Sequence, residues 1–142
     1  MNRNVSAAWK GGLKDGSGTF STGSGALKDV PYSFARRFES EPGTNPEEMI
    51  GVAYAACYAM ALSANAEKAG LKPGSVNSKG TVTFEKTEAG FSVTQIHLDV
   101  VANIPGAATD AFATLVENTR TGCPIGRLLA PGTKLSIDAK LG

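Results

Sequence analysis

The stretch NPEEMIGVAYAACYAMALSANAEKAGLKP, residues 45–73, decides the fold because it predicts one long and unusually apolar helix. Asn45 is a favourable N-cap and Pro46 suits the first helical position. The two glutamates that follow place negative charge in the first turn, where the helix dipole favours it. Gly70 and a nearby proline end the pattern. The sequence therefore predicts a helix from Pro46 to about Ala69.

This predicted helix carries almost no charge between Met49 and Asn65. A helix that lacks a polar face is buried on most of its sides. We therefore expect it to be the central helix of the protein, covered by a sheet or by another subunit.

The segments on either side of this helix predict strands and shorter helices. Strands are expected at residues 4–10, 16–22, more weakly near 26–30, and at 75–88, 90–104 and 133–140. A loop is expected at 31–43, a helix at 107–120, and a short helix from Cys123 to about Ala130. In the strand at 90–104, Ile96, Leu98 and Val100 face one side, while Gln95, His97 and Asp99 face the other, wet side. This order predicts a single α+β domain, residues 1–142, with a mainly antiparallel sheet.

The charge and hydropathy of the sequence bear on which kinds of partner the protein can have. The formal net charge of +1 over 142 residues gives no general attraction to nucleic acid or to an anionic membrane. The first residues lack the apolar core of a signal peptide, and no run approaches the roughly 18 apolar residues of a spanning helix. We therefore expect a cytoplasmic protein with neither a nucleic-acid nor a membrane partner.

Cys57 and Cys123 are the only two cysteines. In a reducing cytosol, a cysteine pair is more often redox-active or metal-binding than structural. A metal site would need more ligands, and His97, the only histidine, is interpreted as a surface residue. Thiol redox chemistry is one hypothesis. Two ordinary buried thiols are the other, and spacing alone leaves both open.

The surroundings of each cysteine predict different reactivity. Cys123 precedes a proline at an expected helix start, where the partial positive charge favours thiolate, so it is expected to be the more acidic thiol. Cys57 lies in an alanine-rich helix whose burial disfavours thiolate, so its reactivity would need a nearby cation. Arg36 and Arg37 are candidates, although both also fit solvated surface charges.

Glu47 fits an ordinary helix start, but it also fits a carboxylate that holds an arginine in a bidentate pair. Ten residues separate it from Cys57, which is roughly 15 Å along one unbroken helix. We therefore expect that Glu47 does not touch Cys57 of its own chain. An arginine bridge or a second subunit would be needed to connect them.

Four segments together resemble the OsmC/Ohr family, most closely its OsmC branch. They are PYSFARRFE at 31–39, GTNPEEMI at 43–50, AACYAMAL at 55–62 and GCPI at 122–125. The resemblance covers essentially the whole chain in order and length. It implies an OsmC-like α+β fold with mainly antiparallel sheets around long central helices. It also implies an intertwined homodimer with active sites at the subunit interface.

The resemblance also implies a thiol-dependent peroxidase that reduces organic hydroperoxides and, less well, hydrogen peroxide. Cys57 matches the peroxidatic cysteine and Cys123 the resolving one, which would form a disulfide. Arg37 matches the arginine that activates the thiolate, and Glu47 the glutamate that orients it. A dithiol reductant, lipoyl-type or another thiol, would reopen the disulfide, and no metal or organic cofactor is required. This assignment overrides the dipole argument for Cys123.

Two alternatives remain from the residues themselves. A central helix wrapped by sheet also suits an acyl-thioester hydrolase of hot-dog type, in which a helix carboxylate would act. It also suits a non-catalytic protein that binds an apolar ligand. In either case the cysteines would be dispensable.

Overall fold

The computed structural model describes residues 1–142, and the chain divides into two compact units, residues 1–49 and 50–142. A single domain over the whole chain stays a prediction. The elements in chain order are β1 (Val5–Lys10), β2 (Ser17–Thr22), β3 (Val30–Ser33), α1 (Phe34–Phe38), α2 (Pro46–Lys68), β4 (Ser75–Thr87), β5 (Gly90–Asn103), α3 (Thr109–Gly122), α4 (Pro124–Leu129) and β6 (Lys134–Leu141).

The first unit holds an antiparallel sheet in the order β1-β2-β3. Glycine makes close packing possible here. A Cβ at Gly18 would lie 2.3 Å from the Ala8 carbonyl oxygen and 2.6 Å from the Tyr32 ring. The glycine-dotted strands thus bring backbone and aromatic ring together, and the Tyr32 hydroxyl donates a hydrogen bond to Ala8 O at 3.3 Å.

Two predictions in this unit were wrong in detail. The third strand begins at Val30 rather than near 26, and the expected loop at 31–43 contains the helix α1. The cause is local capping, because the Ser33 hydroxyl accepts a hydrogen bond from the Arg36 backbone N–H at 3.2 Å. β3 lies at the sheet edge, where Pro31 is tolerated although it lacks an N–H.

The second unit holds a sheet in the order β4-β5-β6. The predicted hairpin between the two long strands is confirmed, with Gly90 at φ +106° in its turn. β6 pairs with β5 in parallel, so the sheets are mainly but not wholly antiparallel. Ile96, Leu98 and Val100 of β5 are fully buried, as their alternation predicts.

The long helix α2 is confirmed with its predicted cap, because the Glu48 N–H donates to Asn45 Oδ1 at 2.9 Å. Its fully buried apolar side chains recur every fourth position, which places them on one face: Tyr54, Tyr58, Leu62 and Ala66. Val52 and Met60 are 61% and 76% exposed. Within a single chain the helix is therefore covered on one side, and its coverage by another subunit stays a prediction.

α2 is also long and apolar enough, by length and composition alone, to cross a membrane. This corrects the expectation that no segment approaches that length. One such helix is weak evidence for a membrane protein, because a core helix passes the same test. The face of α2 that begins at Tyr54 belongs to the hydrophobic core of the second unit, together with β5 and α3.

Candidate active site

The two cysteines meet in the second unit. Cys57 lies on α2 and is partly buried, whereas Cys123 lies between α3 and α4 and is fully buried. Their Sγ atoms are 3.2 Å apart although 66 residues separate them in the chain. A disulfide bond is about 2.05 Å long, so a shift of roughly 1 Å brings the two sulfurs to bonding distance.

Cys123 is positioned by the two helices that it joins. Its N–H donates to Thr119 O at 2.9 Å and so ends α3, while its carbonyl accepts from Arg127 N–H at 2.9 Å and so begins α4. Pro124 occupies the start of α4, as predicted. This tight connection aims the Cys123 side chain at α2.

Gly126 lets α4 approach α2 closely. A Cβ at this position would lie 3.0 Å from the Tyr54 ring and 3.6 Å from Cys123 Cβ. A larger residue at position 126 would press against the Tyr54 ring.

The expectation that its position at a helix start favours the Cys123 thiolate was wrong. Burial raises the pKa of Cys123, because a thiolate there loses hydration. The backbone N–H groups of Gly126 and Ile125 at the start of α4 act in the opposite direction but do not overcome the burial. Cys123 is therefore suited to remain a neutral thiol at neutral pH.

Two tyrosines line the buried side of the thiol pair. Burial, with a smaller contribution from Cys123, raises the pKa of Tyr54 to about 12, so its hydroxyl stays neutral. The Tyr54 hydroxyl is buried without a hydrogen-bond partner, whereas that of Tyr58 donates to Val116 O at 3.2 Å. Tyr54 had no predicted role. Its spacing of three residues from Cys57 on one helix was the available signal.

Arg37 and Glu47 form an ion pair within the first unit. Arg37 Nη2 donates to Glu47 Oε1 at 2.6 Å, and Arg37 Nε lies 3.1 and 3.2 Å from the two carboxylate oxygens. Glu47 is only 8% exposed, which is unusual for a carboxylate at a helix start. The guanidinium also lies 5.2 Å from the Phe38 ring centroid.

The neighbouring arginine has a different partner. Arg36 Nε lies 3.6 Å from Glu41 Oε1, and the Glu41 side chain is 46% exposed. The bidentate contact with a buried carboxylate therefore belongs to Arg37, the residue that the resemblance indicated, and the Arg37 side chain itself is 38% exposed. The structure brings Cys57 to Cys123 and Arg37 to Glu47, and the two pairs belong to different units.

Comparison with known proteins assigns the family. The family described as OsmC-like protein matches residues 38–138. Peroxiredoxin OsmC of Escherichia coli is 40% identical over 141 residues, which are 99% of this chain and 97% of the E. coli chain. An organic hydroperoxide resistance protein of Xanthomonas axonopodis pv. citri is 31% identical over 100 residues, 70% of this chain and 66% of its own length.

Solved structures agree on the fold. The organic hydroperoxide resistance protein OhrB of Bacillus subtilis matches with a TM-score of 0.74 at 24% identity, over 99% of this chain and 98% of its own. An OsmC-like protein of Mycoplasma pneumoniae matches with a TM-score of 0.78 at 16% identity, over 99% and 97% of the two chains. The architecture predicted from the sequence is confirmed, and by these similarities the chain belongs to the OsmC-like protein family.

Proposed function

We propose that this chain is a thiol-dependent peroxidase that reduces organic hydroperoxides and, less well, hydrogen peroxide. The observation that carries the proposal is the approach of the only two thiols to 3.2 Å. The relatives support it, because their printed names are peroxiredoxin and organic hydroperoxide resistance protein.

Cys57 is the attacking residue in this proposal. Its thiolate attacks the terminal oxygen of the hydroperoxide, the O–O bond breaks, and the other oxygen leaves as an alcohol after taking a proton. Cys57 becomes a sulfenic acid. The partial exposure of Cys57 supports this order, since a peroxide reaches a partly exposed sulfur more readily than the fully buried Cys123.

Cys123 is the resolving residue. Its thiol attacks the Cys57 sulfenic acid, an S–S bond forms, and the hydroxyl group leaves as water. Burial keeps Cys123 protonated until that step, so it does not compete for peroxide. A dithiol reductant, lipoyl-type or another thiol, then attacks the disulfide and regenerates both thiols by exchange. No metal or organic cofactor takes part.

Arg37 stabilises the negative charge that develops on the thiolate and on the leaving oxygen. A guanidinium suits this role because it stays charged and carries several donors in one plane. Three of the hydrogen-bond contacts of Arg37 go to Glu47, which fixes the plane of the guanidinium. Glu47 is therefore proposed as a positioning residue that acts through Arg37.

The two alternatives have no observation in their favour. Glu47, the buried carboxylate of α2 that would serve a hot-dog hydrolase, is held in an ion pair by Arg37. A simple binding protein would not require two sulfurs at 3.2 Å.

The function is tested by peroxide consumption. Reduced, pure protein is mixed with cumene hydroperoxide and dithiothreitol, and loss of peroxide is followed with and without prior alkylation of the thiols. We expect turnover that alkylation removes. A protein that consumes no peroxide, or consumes it equally after alkylation, would contradict the proposed function.

The working form is proposed to be a cytoplasmic homodimer. The exposed apolar residues Val52 and Met60 on α2 support it, because a second copy would remove this surface from water. Disulfides of cytosolic proteins are usually transient and catalytic, which fits the proposed Cys57–Cys123 pair. In the dimer, one subunit would supply Arg37 and Glu47 to Cys57 of the other.

Mixed dimers test that sharing. The variants Cys57→Ser and Glu47→Ala are unfolded together and refolded, and peroxide turnover is compared with each variant refolded alone. A shared site regains one intact centre in each mixed dimer, so activity rises to about a quarter of the wild-type value if subunits assort at random. Activity that stays at the mean of the two variants, while wild-type protein refolds normally, would show that each chain holds its own complete site.

A further inference from the structure

Three metal-ligating side chains converge on the exposed face of the second sheet. His97 and Asp99 lie two residues apart on β5, and Asp138 lies on β6 directly beside Asp99 in the parallel register. His97 Nε2 is 3.4 Å from Asp99 Oδ1 and 3.6 Å from Asp138 Oδ2. The three ligand atoms all lie within 4.8 Å of one another.

The pairing of the two aspartates is unfavourable by itself. Like charges directly opposite each other on neighbouring strands destabilise a sheet. On β4, the register partner of Asp99 is Lys79, which is exposed and contributes one positive charge on that side only. On β6, Lys140 lies two residues from Asp138 on the same face and contributes a second positive charge beside the carboxylates. These two lysines offset part of the repulsion, and the convergence of His97 Nε2 with both carboxylates is the feature that offers a common position to a bound cation.

We propose that His97, Asp99 and Asp138 bind a divalent transition-metal ion of the Zn²⁺ type. One imidazole nitrogen and two carboxylate oxygens make a three-ligand set that leaves a fourth position for water. The imidazole favours Zn²⁺ over Mg²⁺ or Ca²⁺, which prefer oxygen ligands.

The distances suit such an ion. Metal–ligand bonds of about 2.1 Å at tetrahedral angles place neighbouring ligand atoms roughly 3.4 Å apart. The two measured separations, 3.4 and 3.6 Å, are close to this value. Asp138 is the most exposed of the three, with 84% of its side chain accessible, so it can adjust to the ion without disturbing the core.

The other ring nitrogen of His97 is already held. Nδ1 lies 2.8 Å from Ser136 Oγ, and the same oxygen accepts a hydrogen bond from Gln95 Nε2 at 3.1 Å. A serine hydroxyl has two acceptor positions, so it can accept from both. When Nδ1–H donates to Ser136, the lone pair of Nε2 points to the aspartates. Metal-bound histidines are oriented in this way by a second hydrogen-bonding partner.

The ion would tie β6 to β5. β6 is an edge strand of the described sheet, so it has only β5 as a strand neighbour. An ion that binds the folded chain and not the unfolded one raises the melting temperature. The inference concerns stability of the fold and does not depend on the proposed peroxidase activity.

The thiols must be removed before the site is measured, because two sulfurs at 3.2 Å also bind Zn²⁺. The full-length variant Cys57→Ser/Cys123→Ser serves as the parent protein. Its Zn²⁺ affinity is measured by competition with a chromophoric chelator, and its melting temperature with and without Zn²⁺. His97 is the only histidine, so its imidazole NMR signals report directly on the site.

We expect one Zn²⁺ per chain, a shift of the His97 signals and a higher melting temperature. In the same parent, Asp138→Asn and His97→Ala are each expected to weaken Zn²⁺ binding at least tenfold, and Ser136→Ala about tenfold with His97 retained. Asp110→Asn, which removes an exposed carboxylate from α3, is the matched control and should bind as the parent does. No binding by the parent, or equal binding by His97→Ala and the parent, would overturn the proposal.

Discussion

Replacing Cys57 with serine is expected to abolish peroxide turnover. A serine hydroxyl is not ionised at neutral pH and cannot cycle through a sulfenic acid, so the rate should fall at least about a thousandfold. The measurement is steady-state loss of cumene hydroperoxide with dithiothreitol as reductant. Circular dichroism and the melting temperature show whether the variant is folded.

Cys123→Ser is the matched comparison, because it removes the other sulfur of the same pair. Cys57 should still react once with peroxide, and without a resolving thiol its sulfenic acid should gain further oxygen. Mass spectrometry of intact protein after one and after many equivalents of peroxide distinguishes these states. If Cys57→Ser keeps normal turnover while Cys123→Ser loses it, the two roles are reversed.

Replacing Arg37 with alanine is expected to lower kcat/KM for hydroperoxide by roughly a hundredfold to a thousandfold. This is the range seen when a charge-stabilising donor is removed from an active site. Arg36→Ala is the matched control, because Arg36 precedes Arg37 directly and pairs with the exposed Glu41 instead. Its kcat/KM should stay near the wild-type value.

Replacing Glu47, the partner of Arg37, is expected to lower kcat/KM less than replacing Arg37 itself. Glu47→Ala keeps the guanidinium but removes the carboxylate that orients it, and misplacement of a catalytic group costs about a hundredfold or less. Glu48→Ala is the control, since that carboxylate accepts a hydrogen bond from Thr44 Oγ1 at 2.9 Å and is exposed. A larger loss in Arg36→Ala than in Arg37→Ala would move the role to Arg36. Equal losses in Glu47→Ala and Glu48→Ala would remove the positioning role of Glu47.

The local elements were predictable because their signals lie within a few residues. Asn45 and Pro46 predicted the start of α2, and the structure shows the Asn45 side chain capping it. Alternation along β5 predicted which of its side chains are buried. The weak third strand was misplaced because glycine-rich residues near 26 carry little pattern, while the Ser33 cap that starts α1 depends on one side chain.

The properties of the candidate site could not be predicted from neighbouring residues alone. The predicted acidity of Cys123 depended only on the dipole of the helix that follows it. In the structure, burial of Cys123 outweighs the backbone N–H groups of α4, and the pKa is raised. The choice between Arg36 and Arg37 also depended on which guanidinium reaches a buried carboxylate, and neighbouring residues cannot specify that.

Local signals in the sequence predicted α2, α3, α4, the central hairpin and the family, because capping, periodicity and short motifs act over a few residues. The contacts between residues that are distant in the sequence depend on the tertiary structure. Packing of α2 against the α3–α4 connection brought Cys57 to Cys123 across 66 residues. Parallel pairing of β6 with β5 placed Asp138 beside Asp99 and His97. Such contacts depend on chain direction, sheet register and burial. These are set by the packing of distant segments, so neither segment alone carries a sequence pattern that predicts them.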